Sequence, residues 1–295
     1  MAEIRPFSPA DAEEVSELLA DLLPVTLNTP ESLRWREGAE PGRRSWVARD
    51  GDDLVGFGVS FLHVWIAERD KHRIWVGVRE DFRRRGIGTA LYEQAVQHAE
   101  GARAYTTEVE GEGAGLAFAE RLGFAQYDSE IMSRLDPAAC TLEPKPHEGY
   151  RAVPLRELRG RVTDLYEFYA AAGAIPPGAP VTLELFRELI LGNPMLDPAT
   201  SVVVLDDDDR IVSLSWLLVD PARDRAENEW TATLPELRGR GLARFAKLES
   251  IHLAAEHGIG EILTGNAPGN APMRALNERL GYEPLYTRID LERPA

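Results

Sequence analysis

Apolar and polar positions alternate along this chain in short stretches, set between segments whose apolar residues recur every three or four positions. Glu3 to Phe7 predicts a short strand, and Ser8-Pro9-Ala10-Asp11 then opens a helix with a capping side chain followed by proline. Val15, Leu18, Leu19 and Leu22 give that helix one apolar face. The cap-then-proline signal recurs at Thr29-Pro30-Glu31. Ser45 to Arg49 and Leu54 to Trp65 predict a hairpin about the Asp50-Gly51 turn. Ile74 to Val78 predicts the next strand, followed by a helix carrying Ile87, Leu91 and Ala95 and a strand from Ala104 to Val109. A short helix over Leu116 to Leu122, stopped by Gly123, and a strand from Phe124 to Leu135 complete the series. The order is strand, two helices, three strands, helix, strand, helix, strand.

Asp136 to Gly149 holds three prolines and no periodic apolar pattern, which predicts a linker. The order then begins again. Tyr150 to Val153 is a strand, Val162 to Ala172 a helix, and Thr182 caps a helix through Leu191. A hairpin over Ser201 to Leu205 and Ile211 to Val219 turns through Asp206 to Asp209, and Trp230 to Thr233 leads into a helix ending near His257-Gly258. Glu261 to Thr264, Ala271 to Leu280 and Tyr286 to Leu291 supply a strand, a helix stopped by Gly281, and a last strand. The two halves share residues at fixed offsets: Arg83 and Arg238, Gly86 and Gly241, and Trp75 and Trp230 are each 155 positions apart, and Gly123 and Gly281 are 158 apart. Such spacing predicts a duplication with one small insertion. The expected organisation is a domain over 1–137, a linker over 138–148 and a second domain over 149–295, each mixed α/β.

Composition narrows the function. Hydrophobic residues at 44% and charged residues at 28% of 295 positions match a globular chain with material for two cores. The net charge of −16 argues against nucleic-acid binding, because phosphate neutralisation needs a basic face. It favours a cationic small substrate, while any site for an anion must carry its own local positive charge. Cys140 is the single cysteine, so no disulfide forms within the chain, and Met-Ala-Glu-Ile-Arg has no apolar signal core. These features predict cytoplasmic residence, with no membrane partner. His252 and His257 are five apart and share no helix face, so no metal is expected. The acidic run Asp206 to Asp209 lacks the glutamate spacing of a calcium loop and is expected to be a solvated turn.

One local conflict points to chemistry. Arg83-Arg84-Arg85-Gly86-Ile87-Gly88-Thr89 and Arg238-Gly239-Arg240-Gly241-Leu242-Ala243 put arginines at helix starts, where the macrodipole disfavours cations by about 0.3–1 kcal/mol each. Arginines held there imply an anion at the helix start, and the glycines let a phosphate approach the backbone. The pattern is not GxGxxG, since Leu91 stands at the third glycine position, and no P-loop Gly-Lys-Ser/Thr follows.

Both stretches resemble the acyl-CoA motif Gln/Arg-x-x-Gly-x-Gly/Ala of the GNAT superfamily of N-acetyltransferases, and the repeated element order resembles a tandem GNAT protein. The resemblance implies acetyl-CoA as co-substrate, its pyrophosphate on the backbone from about Arg84 to Gly88 and from about Gly239 to Ala243. It implies that Arg83, Arg84, Arg85, Gly86, Ile87, Gly88 and Thr89, and Arg238, Gly239, Arg240, Gly241, Leu242 and Ala243, form the two cradles. It further implies a pantetheine arm along Val76 to Val78 and along Thr231, Ala232 and Thr233.

A late family helix, Asn-x-x-Ala-x-x-Leu-Tyr, carries an Asn that helps hold CoA and a Tyr that protonates the thiolate. In the first half Glu112 and Ala119 occupy those positions, so that half is expected to be catalytically degraded. In the second, Asn270 is retained while Asn277 replaces the Tyr. Amine attack on a thioester needs a proton acceptor. Glu229, just upstream of the second pantetheine strand, is the expected base, with Glu227 as alternative; Tyr282 and Tyr286 are candidate thiolate donors, against a structural role for each and departure of the thiolate without a side-chain acid. The predicted activity is N-acetylation of a primary amine of a small molecule or peptide, catalysed by the second half of a monomer or homodimer. The alternatives are a non-catalytic acyl-CoA-binding or sensor protein, and activity in both halves.

Overall fold

Capping residues open the helices where the sequence places them. The computed structural model of the chain describes residues 2–66, 68, 70–111 and 113–295. After β1 (Glu3–Pro6), a 3-10 turn leads into α1 (Ala12–Leu22). Asp11 accepts hydrogen bonds from Ser8 N at 2.8 Å and from both Arg5 guanidinium nitrogens, which hold its carboxyl far below its ordinary range. At α2 (Pro30–Ala39), Thr29 Oγ1 accepts from Ser32 N at 3.1 Å. Then come β2 (Arg44–Asp50), β3 (Asp53–Leu62), β4 (Lys71–Val78), α3 (Ile87–His98), β5 (Ala104–Glu110), α4 (Ala114–Arg121) and β6 (Ala125–Leu135). The second series is β7 (Tyr150–Pro154), α5 (Val162–Ala171), α6 (Leu183–Phe186), β8 (Val202–Asp206), β9 (Ile211–Asp220), β10 (Arg225–Thr233), α7 (Leu242–Glu256), β11 (Glu261–Asn266), α8 (Ala271–Leu280) and β12 (Glu283–Pro294). The element order matches the sequence expectation in both halves, except that the helix opened by Thr182 passes at Arg187–Leu191 into a π-helical turn.

The chain forms two compact units. The first comprises residues through Ser129, Pro177–Pro180 and Thr287–Ala295, and the second Glu130–Pro176 and Val181–Tyr286. In the first unit the strand order is β1-β2-β3-β4-β5-β12, in which β4 and β5 form the parallel pair. In the second it is β6-β11-β10-β9-β8-β7, in which β10 and β11 do. α1 and α2 lie with Val47, Phe57 and Val59 in one apolar cluster of the first unit, and α3 lies with Trp46, Ile74 and Leu291 in another. In the second unit Leu248, Ile251 and Ala254 of α7 meet Ile262 and Leu135.

These units cut across the boundaries expected at 137 and 149. The last strand of each half completes the sheet of the other. Leu291 of β12 opposes Thr107 of β5, and Leu135 of β6 opposes Ile262 of β11. The alternation of Ile289 and Leu291 specifies a half-buried strand, and Met132 and Leu135 mark the buried positions of β6, but neither says which sheet receives the strand. A sequence period therefore shows the strand and hides the exchange.

Leu291→Ala removes a side chain 1% exposed and is expected to cost about 2–5 kcal/mol in urea unfolding. Hydrogen exchange should accelerate in β5 and α3 of the first unit; acceleration confined to β11 and α8 would contradict the exchange.

Candidate active site

The first unit contains a wedge. β4 pairs with β5 only from Lys71↔Ala104 to Arg73↔Thr106, while its other edge stays paired with β3 as far as Gly56↔Val78. The strands then part around a cleft of about 740 Å³. Val76 and Val78 line one wall, Thr107 to Glu110 the other, and Arg83, Arg84, Gly86, Gly88 and Thr89 line it too. Arg84 has φ +65° and Gly86 φ +83°, left-handed values that turn the chain sharply before α3. For a residue with a Cβ, as at Arg84, that conformation costs about 1–2 kcal/mol. The first N–H groups of α3 have no helical acceptor, and a Cβ at Gly86 would meet nothing within 4 Å. A backbone cradle with open space before it suits a phosphate group.

The arginines divide their work. Arg83 Nε donates to Val78 O at 3.0 Å and ties the end of β4 to the loop. Arg85 donates to Asp81 O at 2.9 Å and lies 4.8 Å from the Phe82 ring. Ile87 is buried in the core, so its backbone alone serves the cradle. Where the strands part, Arg73 bridges Glu108 and Asp290, and Arg288 Nε lies 3.7 Å from Glu108. Burial pushes the Glu108 carboxyl up, but Arg73 and Arg288 outweigh it and hold the group below its ordinary value. Tyr92 also lines the cleft, its hydroxyl buried without a protein hydrogen-bond partner. Glu112 lies outside the described residues, and Ala119 is a core residue.

The second unit repeats this arrangement. β10 and β11 pair from Arg225↔Glu261 to Glu227↔Leu263 and then part. Gly239 and Gly241 have φ +77° and +82°, the same two left-handed positions as Arg84 and Gly86. Arg238 Nε donates to Thr233 O at 3.3 Å, as Arg83 does to Val78, and its Nη2 reaches Ala172 O at 3.1 Å. Arg240 is exposed, Leu242 is core, and Ala243 is half-buried on the first turn of α7. One difference is His147, whose ring tip would lie 3.3 Å from a Cβ at Gly241 and whose ring centroid is 5.1 Å from that of Phe245.

A second difference lies in β10. The pairing with β9 slips between Asn228 and Trp230, so Glu229 sits in a bulge, exposed; the β3–β4 ladder has no such break. Bulges re-aim side chains and recur beside active sites. Tyr169, with its phenol pushed up first by burial and then by the Glu229 charge, packs 4.4 Å from Trp230 and stacks on Trp216 at 5.6 Å. Beyond the bulge, Thr231 Oγ1 donates to Asn228 Oδ1 at 2.9 Å, Ala232 opposes Leu214, and Thr233 Oγ1 is 2.8 Å from Ser213 Oγ.

The late helix departs from expectation. Asn270 Oδ1 accepts from Met273 N at 3.4 Å, so its side chain caps α8. Asn277 donates to Asn266 Oδ1, and its own Oδ1 is buried without a protein partner. Tyr282, expected as a proton donor, is 4% exposed in the core beside Leu248, Ile262 and Leu280, its hydroxyl unpartnered and its acidity suppressed by burial. A phenol held so far above a thiol is a poor donor to a thiolate.

Sequence reasoning missed Lys247. It stands between Ala246 and Leu248 on the inward face of α7, 1% exposed, with Nζ 2.7 Å from Asn228 Oδ1 and 4.8 Å from the Tyr282 ring centroid. Burial alone lowers its amine from 10.5 to about 7. A signal existed: at the 155-residue offset Lys247 corresponds to Tyr92. Glu108 and its arginines were missed because their pairing depends on Arg288 and Asp290 of β12, contributed by the exchange.

A mixed sheet whose one parallel pair parts before a helix start, present twice, defines a tandem GNAT architecture. The chain belongs to the acetyltransferase (GNAT) family, whose model matches residues 12–124 and 163–282. It is 27% identical over 300 residues to a mycothiol acetyltransferase of Rhodococcus opacus (strain B4), covering 95% of this chain and 94% of that protein. It is 24% identical over 269 residues to a mycothiol acetyltransferase of Propionibacterium freudenreichii subsp. shermanii, covering 86% and 78%. Its fold is similar to that of a tandem GNAT protein from the clavulanic acid biosynthesis pathway, with TM-score 0.76, 20% identity and coverage of 100% of this chain and 98% of that one. It is also similar to a GCN5-related N-acetyltransferase from Sphaerobacter thermophilus, with TM-score 0.72, 17% identity and coverage of 99% and 95%.

The lysine gives a pH signature. Its folded pKa of about 7 lies below the ordinary 10.5, so between these values the unfolded chain binds more protons and stability rises with pH. The wild type should gain up to about 1.4 kcal/mol per pH unit over that window relative to Lys247→Met. Parallel urea midpoints for the two chains would refute the burial of a lysine here.

Proposed function

We propose that the chain transfers the acetyl group of acetyl-CoA to a primary amine of a small molecule or peptide, by direct attack in a ternary complex held in the second unit. The observation that carries this reading is the bulge that exposes Glu229 at the mouth of the second wedge, with no counterpart in the first. Acetyl-CoA supplies an activated thioester. The cradles from Arg84 to Thr89 and from Gly239 to Ala243 would hold its pyrophosphate on backbone N–H groups, and the free edges of Val76–Val78 and Thr231–Thr233 would take the pantetheine arm. Glu229 accepts the amine proton, directly or through water.

The first unit, with Ile74 at the position of Glu229, binds CoA without transferring the acetyl group. The net charge of −16 favours a cationic acceptor, and the names of the two relatives make mycothiol acetyltransferase activity the first to assay. Cytoplasmic residence, resting on the single Cys140, and a monomer or homodimer complete the reading.

A non-catalytic acyl-CoA-binding protein is the second reading. It is favoured by the roomy cleft of the first unit and by Asn277 at the expected tyrosine position.

Calorimetric titration with acetyl-CoA should show binding weakened at one site by Arg83→Glu/Gly86→Glu and at another by Arg238→Glu/Gly241→Glu. Only the second pair should abolish thiol release with an amine panel. Full turnover in that pair would overturn the assignment of the second unit. Glu229→Gln should lower kcat by about 10²–10⁴ with KM for acetyl-CoA little changed. An unchanged rate across pH would remove Glu229 as the base.

A further inference from the structure

We propose that Lys247 is the proton donor to the departing CoA thiolate in the second unit, filling the role that neither Asn277 nor Tyr282 can perform. This rests on the reading that the second wedge holds the acyl donor.

Three observations place the amine. Lys247 Nζ is bonded to Asn228, the first residue of β10 beyond its last pair with β11 and therefore at the point where the strands part. Its counterpart at the 155-residue offset, Tyr92, lines the cleft of the first unit. The groups around it are otherwise neutral: Asn228, whose backbone carbonyl accepts from Thr264, and the Tyr282 ring, with Cys140 beyond that ring. No carboxylate ion-pairs with Lys247 among the described residues, and burial is the sole cause of its weakened basicity. A lysine kept in a core at such cost, where a methionine of similar volume would pack, calls for a use.

The chemistry balances. The acceptor nitrogen attacks the acetyl carbon, and the carbon–sulfur bond breaks with its electron pair on sulfur. The Lys247 ammonium passes a proton to that sulfur and becomes a neutral amine, while the proton lost by the attacking nitrogen goes to Glu229. Transfer of that proton from Glu229 to Lys247 through water restores both groups. An ammonium ionising near 7 is a stronger acid than a thiol ionising at about 8.5, so the transfer runs downhill. The Tyr282 phenol would transfer uphill.

The test follows CoA binding and the pH profile of kcat from acid through neutral pH, in the Arg83→Glu/Gly86→Glu background so that only the second cradle is loaded. In the parent kcat should fall as pH rises through about 7, where the donor loses its proton, and Lys247→Met and Lys247→Arg should both lack that limb. Lys247→Met should also lower kcat by about 10²–10⁴ while leaving KM for acetyl-CoA within a few-fold. Melting temperature checks that both variants fold, and Lys247→Arg retains the cation if the methionine chain does not. The same fall of kcat near neutrality in all three chains, with CoA bound in each, would overturn the proposal while leaving the second unit as the binding site. No CoA bound in this background would overturn both. Acetylation of Lys247 itself by acetyl-CoA, read by mass spectrometry, would make it an acceptor and overturn its role as donor.

Discussion

A parallel strand pair that parts after three residues is the constraint on which the rest depends. In each unit the outer edge of the parting strand stays fixed to its antiparallel neighbour, so the opening is a rigid wedge. The inner edge is left with backbone N–H and C=O groups that need a partner, as a buried backbone must. Other features serve that opening. An arginine side chain ties the end of the parting strand to the loop, at Val78 in one unit and Thr233 in the other. Two left-handed residues then turn the chain so that a helix begins at the mouth. Gly77 shows how tightly the wall is built, since a Cβ there would come within 2.4 Å of the Trp75 ring and 2.7 Å of Leu22.

From this shared frame the two copies diverge in charge. The first holds a half-buried ionic cluster, Arg73 with Glu108, Asp290 and Arg288, whose members compensate one another. The second has Asn228 and Asn266 at the corresponding positions and a lysine that, among the described residues, pairs with no carboxylate. The first wedge is thus electrostatically settled, while the second keeps a group whose protonation responds near neutrality. Glu229, lifted out of register by its bulge, adds a carboxylate at the same mouth. The exchanged strands matter here too, because β12 brings Arg288 and Asp290 to the first unit.

The architecture was legible because it rests on local signals. Ser8, Thr29 and Thr182 mark helix starts, Gly123 and Gly281 mark helix ends, and the 155-residue offset identifies the duplication. The left-handed turns at Gly86 and Gly241 were legible for the same reason, since a glycine at a strand-to-helix turn has a backbone meaning. What was hidden depends on contacts distant in the chain. The destination of β6 and β12, the cluster around Glu108, and the position of His147 beside Gly241 each join segments that sequence periodicity treats separately. Tyr282 was open to two readings in the sequence, donor or structural, and its neighbours Leu248, Ile262 and Leu280 make it core.

Amide hydrogen exchange with and without CoA reads the free strand edges directly. Slowed exchange over Val76–Val78 and over Thr231–Thr233, with protection extending into the first turns of α3 and α7, is the result predicted when a ligand amide supplies the missing partners in both wedges. Protection confined to the first unit, with Thr231–Thr233 unchanged, would contradict the assignment of the second wedge as the place where the acyl group is held and transferred.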